Sequence, residues 1–183
     1  MTSSLIQELQ LEKHPAGGYW REIDRQETQI PSPFAPKLSF DSRDNRTDNP
    51  PRPLVTSIYH LLTKDSPSAV FIKNRSVAYH IHHQGKAEYT TITPIPGHPP
   101  RIEKKILGPD TAAGESRFLT FGSEVWKMAR LPPGSEECLL SLVVVPGFHW
   151  EDHEFLTKEG LEELLAGVEG GEENIADFGK YLK

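Results

Sequence analysis

A single cysteine, Cys138, leaves no partner for an intramolecular disulfide and excludes paired-cysteine metal or redox sites. Its setting, CLLSLVVV, reads as core rather than nucleophile. Also absent is any uninterrupted run of roughly 18 apolar residues, and the opening MTSSLIQELQLEKHP has no basic leader followed by an apolar stretch. The expected location is therefore the cytoplasm, with no membrane partner. Positive charge is not in excess: 20 Lys+Arg against 26 Asp+Glu gives a net −6, which disfavours a broad phosphate-binding footprint and hence a nucleic-acid partner. Missing too are the GxSxG elbow, the phosphate loop, the HExxH helix and a GxGxxG after a strand, so serine-hydrolase, nucleotide-dependent and zincin chemistries lack their parts.

What remains is enough for a packed core. Hydrophobic residues make up 36% and charged residues 25%, the balance of one folded domain over 1–183. Sixteen prolines and fourteen glycines cut the chain into short pieces, and helical periodicity survives only near the ends. Ser3-Ser4 before LIQELQL predicts a short capped helix that Pro15 and Gly17-Gly18 stop, and KEGLEELLAGV predicts a helix over 158–168 with an acidic outer side. Between them LVTSIYHLL, SAVFIKN, SVAYHIHH, AEYTTITPI, RIEKKILG, SRFLTFG, VWKMARL and CLLSLVVVPGF recur at intervals of about ten residues, the spacing of a β-sandwich or barrel. Residues 31–53, with six prolines and the polar run DSRDNRTDN, predict a surface loop and a lid candidate, and residues 170–183 a C-terminal tail.

Four segments carry a family resemblance. LQLEKHPAGGYWRE, VVVPGFHWEDHEFL and, between them, TSIYHLL with LGPDTAAGES resemble the signatures of small single-domain cupins of long-unassigned function, similar in fold to sugar-nucleotide epimerases. The resemblance spans nearly the whole chain outside 31–53 and the last dozen residues. It implies an all-β jelly-roll, the double-stranded β-helix barrel, with a pocket at its open mouth and a homodimer as the usual assembly. The aligned strand of typical members carries an early histidine, a Ser-Asp-Glu run and then a tryptophan. This chain has Ile72, Ser76-Val77-Ala78 and His80 there, so two polar pocket groups are replaced by aliphatic ones.

Strand alternation places Ala78, His80 and His82 on one face and Val77, Tyr79, Ile81 and His83 on the other. The resemblance implies that the first face looks into the barrel. Two inward histidines at i and i+2 suit a metal ion, with Tyr59, His60, Glu88 or Glu124 as third-ligand candidates, and equally suit acid–base work. Tyr59 or Lys73 would stabilise an oxyanion, and Ile72, Ala78, Trp126, Arg21 and Glu124 would line the ligand site. Each has a plainer reading: Tyr59 and Trp126 as core, Lys73 with Arg75 as a surface pair, and Arg21 with Glu22 as ties for the first strand. Asp152 and Glu154 are expected to bond the Gly17-Gly18 turn or Arg21. His149 and His153 share a side only on a helix, which the preceding Pro-Gly-Phe disfavours.

The expected function is a proton-transfer enzyme without metal or cofactor, of isomerase, cyclase, dehydratase or epimerase type, acting on a small, fairly apolar, carbonyl-bearing substrate with His80 or His82 as acid–base group. The alternatives are a non-catalytic small-molecule-binding cupin and a metal-dependent oxygenase built on His80 and His82.

Overall fold

The computed structural model describes residues 3–35 and 49–183. Helix α1 (Ser4–Glu8) is followed by strands β1 (Glu12–Lys13), β2 (Tyr19–Arg25), β3 (Gln29–Ile30), β4 (Arg52–Pro53), β5 (Thr56–Thr63), β6 (Ser68–Asn74), β7 (Val77–Gly85), β8 (Ala87–Ile95), β9 (His98–Leu107), β10 (Phe118–Phe121), β11 (Trp126–Arg130), β12 (Glu137–Val145) and β13 (His153–Phe155). The chain ends in helices α2 (Lys158–Leu165) and α3 (Gly171–Phe178). Turn residues bound these strands where the sequence places them, so β6 and β8 coincide with SAVFIKN and AEYTTITPI. Of the 31–53 segment, residues 36–48 lie outside the described residues. Residues 170–183, set apart above as a tail, carry α3.

The strands form a six-stranded sheet of order β1-β2-β5-β12-β7-β10 and a five-stranded sheet of order β13-β6-β11-β8-β9, with β3 and β4 paired separately. Neighbours within each sheet run antiparallel, and the interleaved order is that of an all-β jelly-roll. Register shows how the barrel fills. Along β12, Cys138 and Leu140 join Leu62, Ala87, Leu107 and Leu119 in a core that plugs one end, whereas Leu142 and Val144, further on, line a cavity at the other.

Helices cover parts of both outer faces. α1, capped by Ser3, lays Leu5, Ile6 and Leu9 over Leu11, Tyr19, Leu61 and Leu139 of the six-stranded sheet. α2, capped by Thr157 Oγ1 on the Gly160 N–H, and α3 press Leu161, Leu165 and Phe178 onto Phe71, Ile92 and Trp126 of the five-stranded sheet. That second packing makes both faces of β11 buried, a fact with consequences for the site. Among the described residues no helix is long and apolar enough to cross a membrane.

Candidate functional site

Two loops complete the mouth of the barrel. In the first, His14-Pro15-Ala16-Gly17-Gly18, the chain turns so tightly against β6 that a Cβ on Gly17 (φ +108°) would sit 2.2 Å from the Ser68 carbonyl oxygen. The turn is locked by the Val70 N–H on the Ala16 carbonyl (2.7 Å) and the Gly18 N–H on Ser66 Oγ (2.9 Å). His14 is thereby held beside His60 of β5, with ring centroids 5.4 Å apart.

The second loop follows β12. The Gly147 N–H donates to the Pro53 carbonyl (2.7 Å) and the Phe148 N–H to Thr56 Oγ1 (2.9 Å). A short 3-10 turn over Trp150–Asp152 then brings His149 and His153 to the same cavity. Asp152 anchors the turn: its carboxylate takes a two-point ion pair from the fully buried Arg52 (Nε–Oδ2 2.5 Å, Nη2–Oδ1 3.0 Å), and Arg75 lies 3.7 Å away. Phe148, Trp150 and His153 pack edge to face, 5.0 to 5.5 Å apart. At the rim Glu22 pairs with Arg25 (2.7 Å), which also donates to the Phe148 carbonyl (3.2 Å).

The enclosed space is a cavity of about 240 Å³ whose wall is mainly apolar, with Ile58, Ile72, Ala129, Leu142 and Val144 among its residues. Its polar groups are five histidines and Lys127, with Tyr89, Thr56 and Asn74, and Glu22 and Arg25 at the rim. The Ala16 N–H donates to His14 Nδ1 (3.0 Å), which leaves the His14 proton on Nε2. His60 Nε2–H donates to the Gly17 carbonyl (2.9 Å), and His153 Nδ1–H to Asn74 Oδ1 (2.9 Å). His80 Nδ1 bonds the Tyr89 hydroxyl at 2.8 Å, either group able to donate, and its Nε2 has no hydrogen-bond partner among the described residues. Lys127 of β11 is inward, opposite Ile72 and Thr91, with Nζ 5.6 Å from the Phe121 ring centre; His80 packs on the same ring at 4.6 Å.

Burial sets the protonation of this cluster. It holds the His80 pKa well below the usual imidazole value, helped by the nearby Lys127 charge. It lowers His60 and takes His14 to about 3. The Tyr89 hydroxyl is pushed well above its ordinary value, and the Lys127 ammonium falls from 10.5 to about 8. The result is a neutral phenol and, at His14, His60 and His80, neutral imidazoles in one cavity with an amine that titrates at about 8.

The expected site residues separate. His80 and Ile72 reach the cavity. His82, level with Leu140 at the plugged end, is captured by the Gly85 carbonyl (2.7 Å), because β7 turns at Gly85. Ala78 points inward beside Val144 and Phe121 without reaching the cavity wall. Lys73, Glu124 and Trp126 do meet, but outside the barrel: Lys73 Nζ pairs with Glu124 (2.8 Å) and Glu154 (3.2 Å) and lies 4.9 Å above Trp126, whose indole packs under the C-terminal helices. Tyr59 faces outward against His83, 5.9 Å between rings, and Arg21 donates to the Leu9 carbonyl on the surface (3.2 Å). Glu88 is tied to Arg130 (2.6 Å). Asp152 and Glu154 find Arg52 and Lys73 rather than the Gly17-Gly18 turn.

Sequence reasoning passed over Lys127, Tyr89 and His14, and set aside the His149–His153 pair, which meets at the cavity without a helix. For Lys127 the signal was alternation itself, since Trp126 and Lys127 must face opposite sides. The cavity histidines do not form a metal-ligand set: among the described residues no three His, Cys, Asp or Glu side chains are grouped to hold an ion.

A jelly-roll barrel closed at one end and carrying a mostly apolar, histidine-rimmed cavity at the other is a cupin. Residues 3–156 match the family described as Cupin superfamily (DUF985), and the chain belongs to that family. It is 35% identical over 170 residues to Uncharacterized protein YML079W of Saccharomyces cerevisiae, covering 90% of this chain and 80% of that protein. Among solved structures, protein SO0799 from Shewanella oneidensis superposes with a TM-score of 0.74 at 24% identity over 100% of this chain and 99% of that one. A hypothetical protein from Leishmania major gives 0.74 at 23% identity, covering 93% and 95%. At those identities the two structures speak for the fold alone.

Proposed function

We propose that the protein is a proton-transfer enzyme, of isomerase or lyase type, acting without a metal on a small, fairly apolar carbonyl compound held in the cavity. His80 is the acid–base group, and Lys127 supplies positive charge at the ligand's carbonyl. The observation that carries this reading is the buried His80–Tyr89 pair, whose imidazole leaves Nε2 unbonded, in one cavity with a lysine that has no acidic partner among the described residues. A weakly basic imidazole removes a C–H proton only when an adjacent positive charge makes that proton acidic, and the cavity supplies both groups. Apolar walls select the rest of the ligand, and exclusion of water strengthens the charge effect.

The test is deuterium exchange at the carbons next to the carbonyl of phenylacetone and related ketones in D2O, followed by NMR. Catalysed exchange that falls at least about 100-fold in His80→Gln supports the reading. Ligand binding without exchange favours the non-catalytic binding cupin, a reading supported by the low basicity that burial imposes on His80.

We further infer a homodimer through the outer face of the six-stranded sheet. Tyr79, Val143, Val145 and Phe118 lie there, Phe118 49% exposed and Val145 37%, beyond the cover of α1. Free, buried Cys138 suits the reducing cytoplasm.

A further inference from the structure

We propose that the Lys127 amine bonds covalently to the ligand's carbonyl carbon, so that the cavity takes aldehydes and ketones as imines. The inference rests on the acid–base reading above and specifies how Lys127 delivers its charge. Other lysines on the barrel are held as ammonium ions: Lys73 by Glu124 and Glu154, Lys86 by Glu115, Lys13 by Asp65. Lys127 is buried, reaches the cavity, and is faced by His80, His60 and His14, by Tyr89, and at the rim by Glu22 and Arg25, which satisfy each other. A desolvated amine in an apolar pocket, without a carboxylate, is the environment that makes a lysine nucleophilic.

The step balances without any oxidant or reductant. The amine lone pair adds to the carbonyl carbon, the C=O π pair moves to oxygen, and the proton that the nitrogen sheds passes to that oxygen to give a carbinolamine. That hydroxyl leaves with a second proton as water while C=N forms. Protonated on nitrogen, the imine acidifies the neighbouring C–H, whose proton passes to His80 Nε2 and whose electron pair forms an enamine. Return of the proton and addition of water release the product and the free amine.

With titration at about 8 against the ordinary 10.5, the neutral fraction of Lys127 at pH 7 exceeds that of an exposed lysine by about 300-fold. Full-length protein is treated with benzaldehyde and sodium borohydride at pH 7, which reduces an imine to a stable benzylamine, and modified peptides are located by mass spectrometry. The expected result is benzylation at Lys127 at least about ten times that at Lys73 or Lys86, after allowance for the lower basicity of the buried amine, with none at position 127 in Lys127→Met. Benzyl groups spread over surface lysines, with Lys127 no more labelled than they are, overturn the proposal. The phenylacetone assay separates the two levels. If borohydride traps no imine at Lys127 while Lys127→Met and His80→Gln both lose the exchange, the imine is refuted and the acid–base reading, with Lys127 acting as a charge, stands; if neither variant alters exchange, the acid–base reading fails as well.

Discussion

Replacing Lys127 by methionine keeps the length of the side chain and removes the amine, and the stability of the pair of proteins against pH reports whether that amine is buried without a partner. In the unfolded chain the group titrates at the ordinary 10.5; in the folded protein burial brings it to about 8. Between those values the unfolded chain holds a proton that the folded one has released. The unfolding free energy of the parent therefore rises with pH, by about 1.4 kcal/mol per unit. From pH 7 to pH 10 the gain is about 2.5 kcal/mol, and Lys127→Met lacks it. Urea unfolding of both proteins at the two pH values, followed by tryptophan fluorescence, gives the difference directly, and the pH-independent change in packing cancels. At pH 7 the variant is expected to be the more stable protein, since it no longer buries an ammonium. A parent-minus-variant difference that stays flat from pH 7 to pH 10 would refute the burial of an unpartnered amine.

Three further outcomes follow from the same contacts. Asp152→Ala leaves the fully buried Arg52 guanidinium with only Glu151 and the Pro50 carbonyl and is expected to cost about 3–5 kcal/mol in urea unfolding, whereas loss of less than about 1 kcal/mol would mean that Glu151 or water takes the place of Asp152. His14, held near 3, and His60 and His80, held below the usual value, are neutral when folded and take up protons on unfolding below pH 6.5. Stability is thus complete above that pH and falls below it, for His14 by about 1.4 kcal/mol per unit toward pH 3, and His14→Phe should flatten this acid limb measurably. Val143→Glu with Phe118→Glu places charge on the bare face of the six-stranded sheet, and sedimentation should find monomers where the parent sediments as a dimer; an unchanged dimer would locate the contact elsewhere.

The barrel was legible because its punctuation is local. Pro-Gly, Gly-Pro-Asp and Pro-Pro-Gly turns bound strands whose ends need no tertiary information, which is why β6 and β8 fall where their segments do. His80 was legible because parity along β7 groups it with Ala78 and His82, and the family resemblance turned that face inward. His82 shares that face, yet the strand ends three residues later and the Gly85 carbonyl takes its imidazole, a capture that no periodicity encodes. Trp126 was placed at the ligand site, and Lys127 beside it was overlooked, on the ordinary expectation that the apolar residue points inward. That expectation needs one wet face, and the C-terminal helices remove it from the five-stranded sheet. Arg52 stands in a proline-rich, polar segment whose composition predicts surface, and only the fold brings Asp152 against it. His14, His149 and His153 reach the cavity from loops closed by glycine and backbone hydrogen bonds, so their meeting is a product of the whole structure.

The central claim is that the cavity, and not the outer sheet face, receives the ligand. Backbone amide NMR spectra recorded while phenylacetone is added test it most directly. The account predicts concentration-dependent shifts confined to the cavity wall, at His60, Ile72, His80, Lys127, Ala129 and Leu142. Shifts centred instead on Tyr79, Phe118 and Val143, with the cavity wall unmoved, would contradict it.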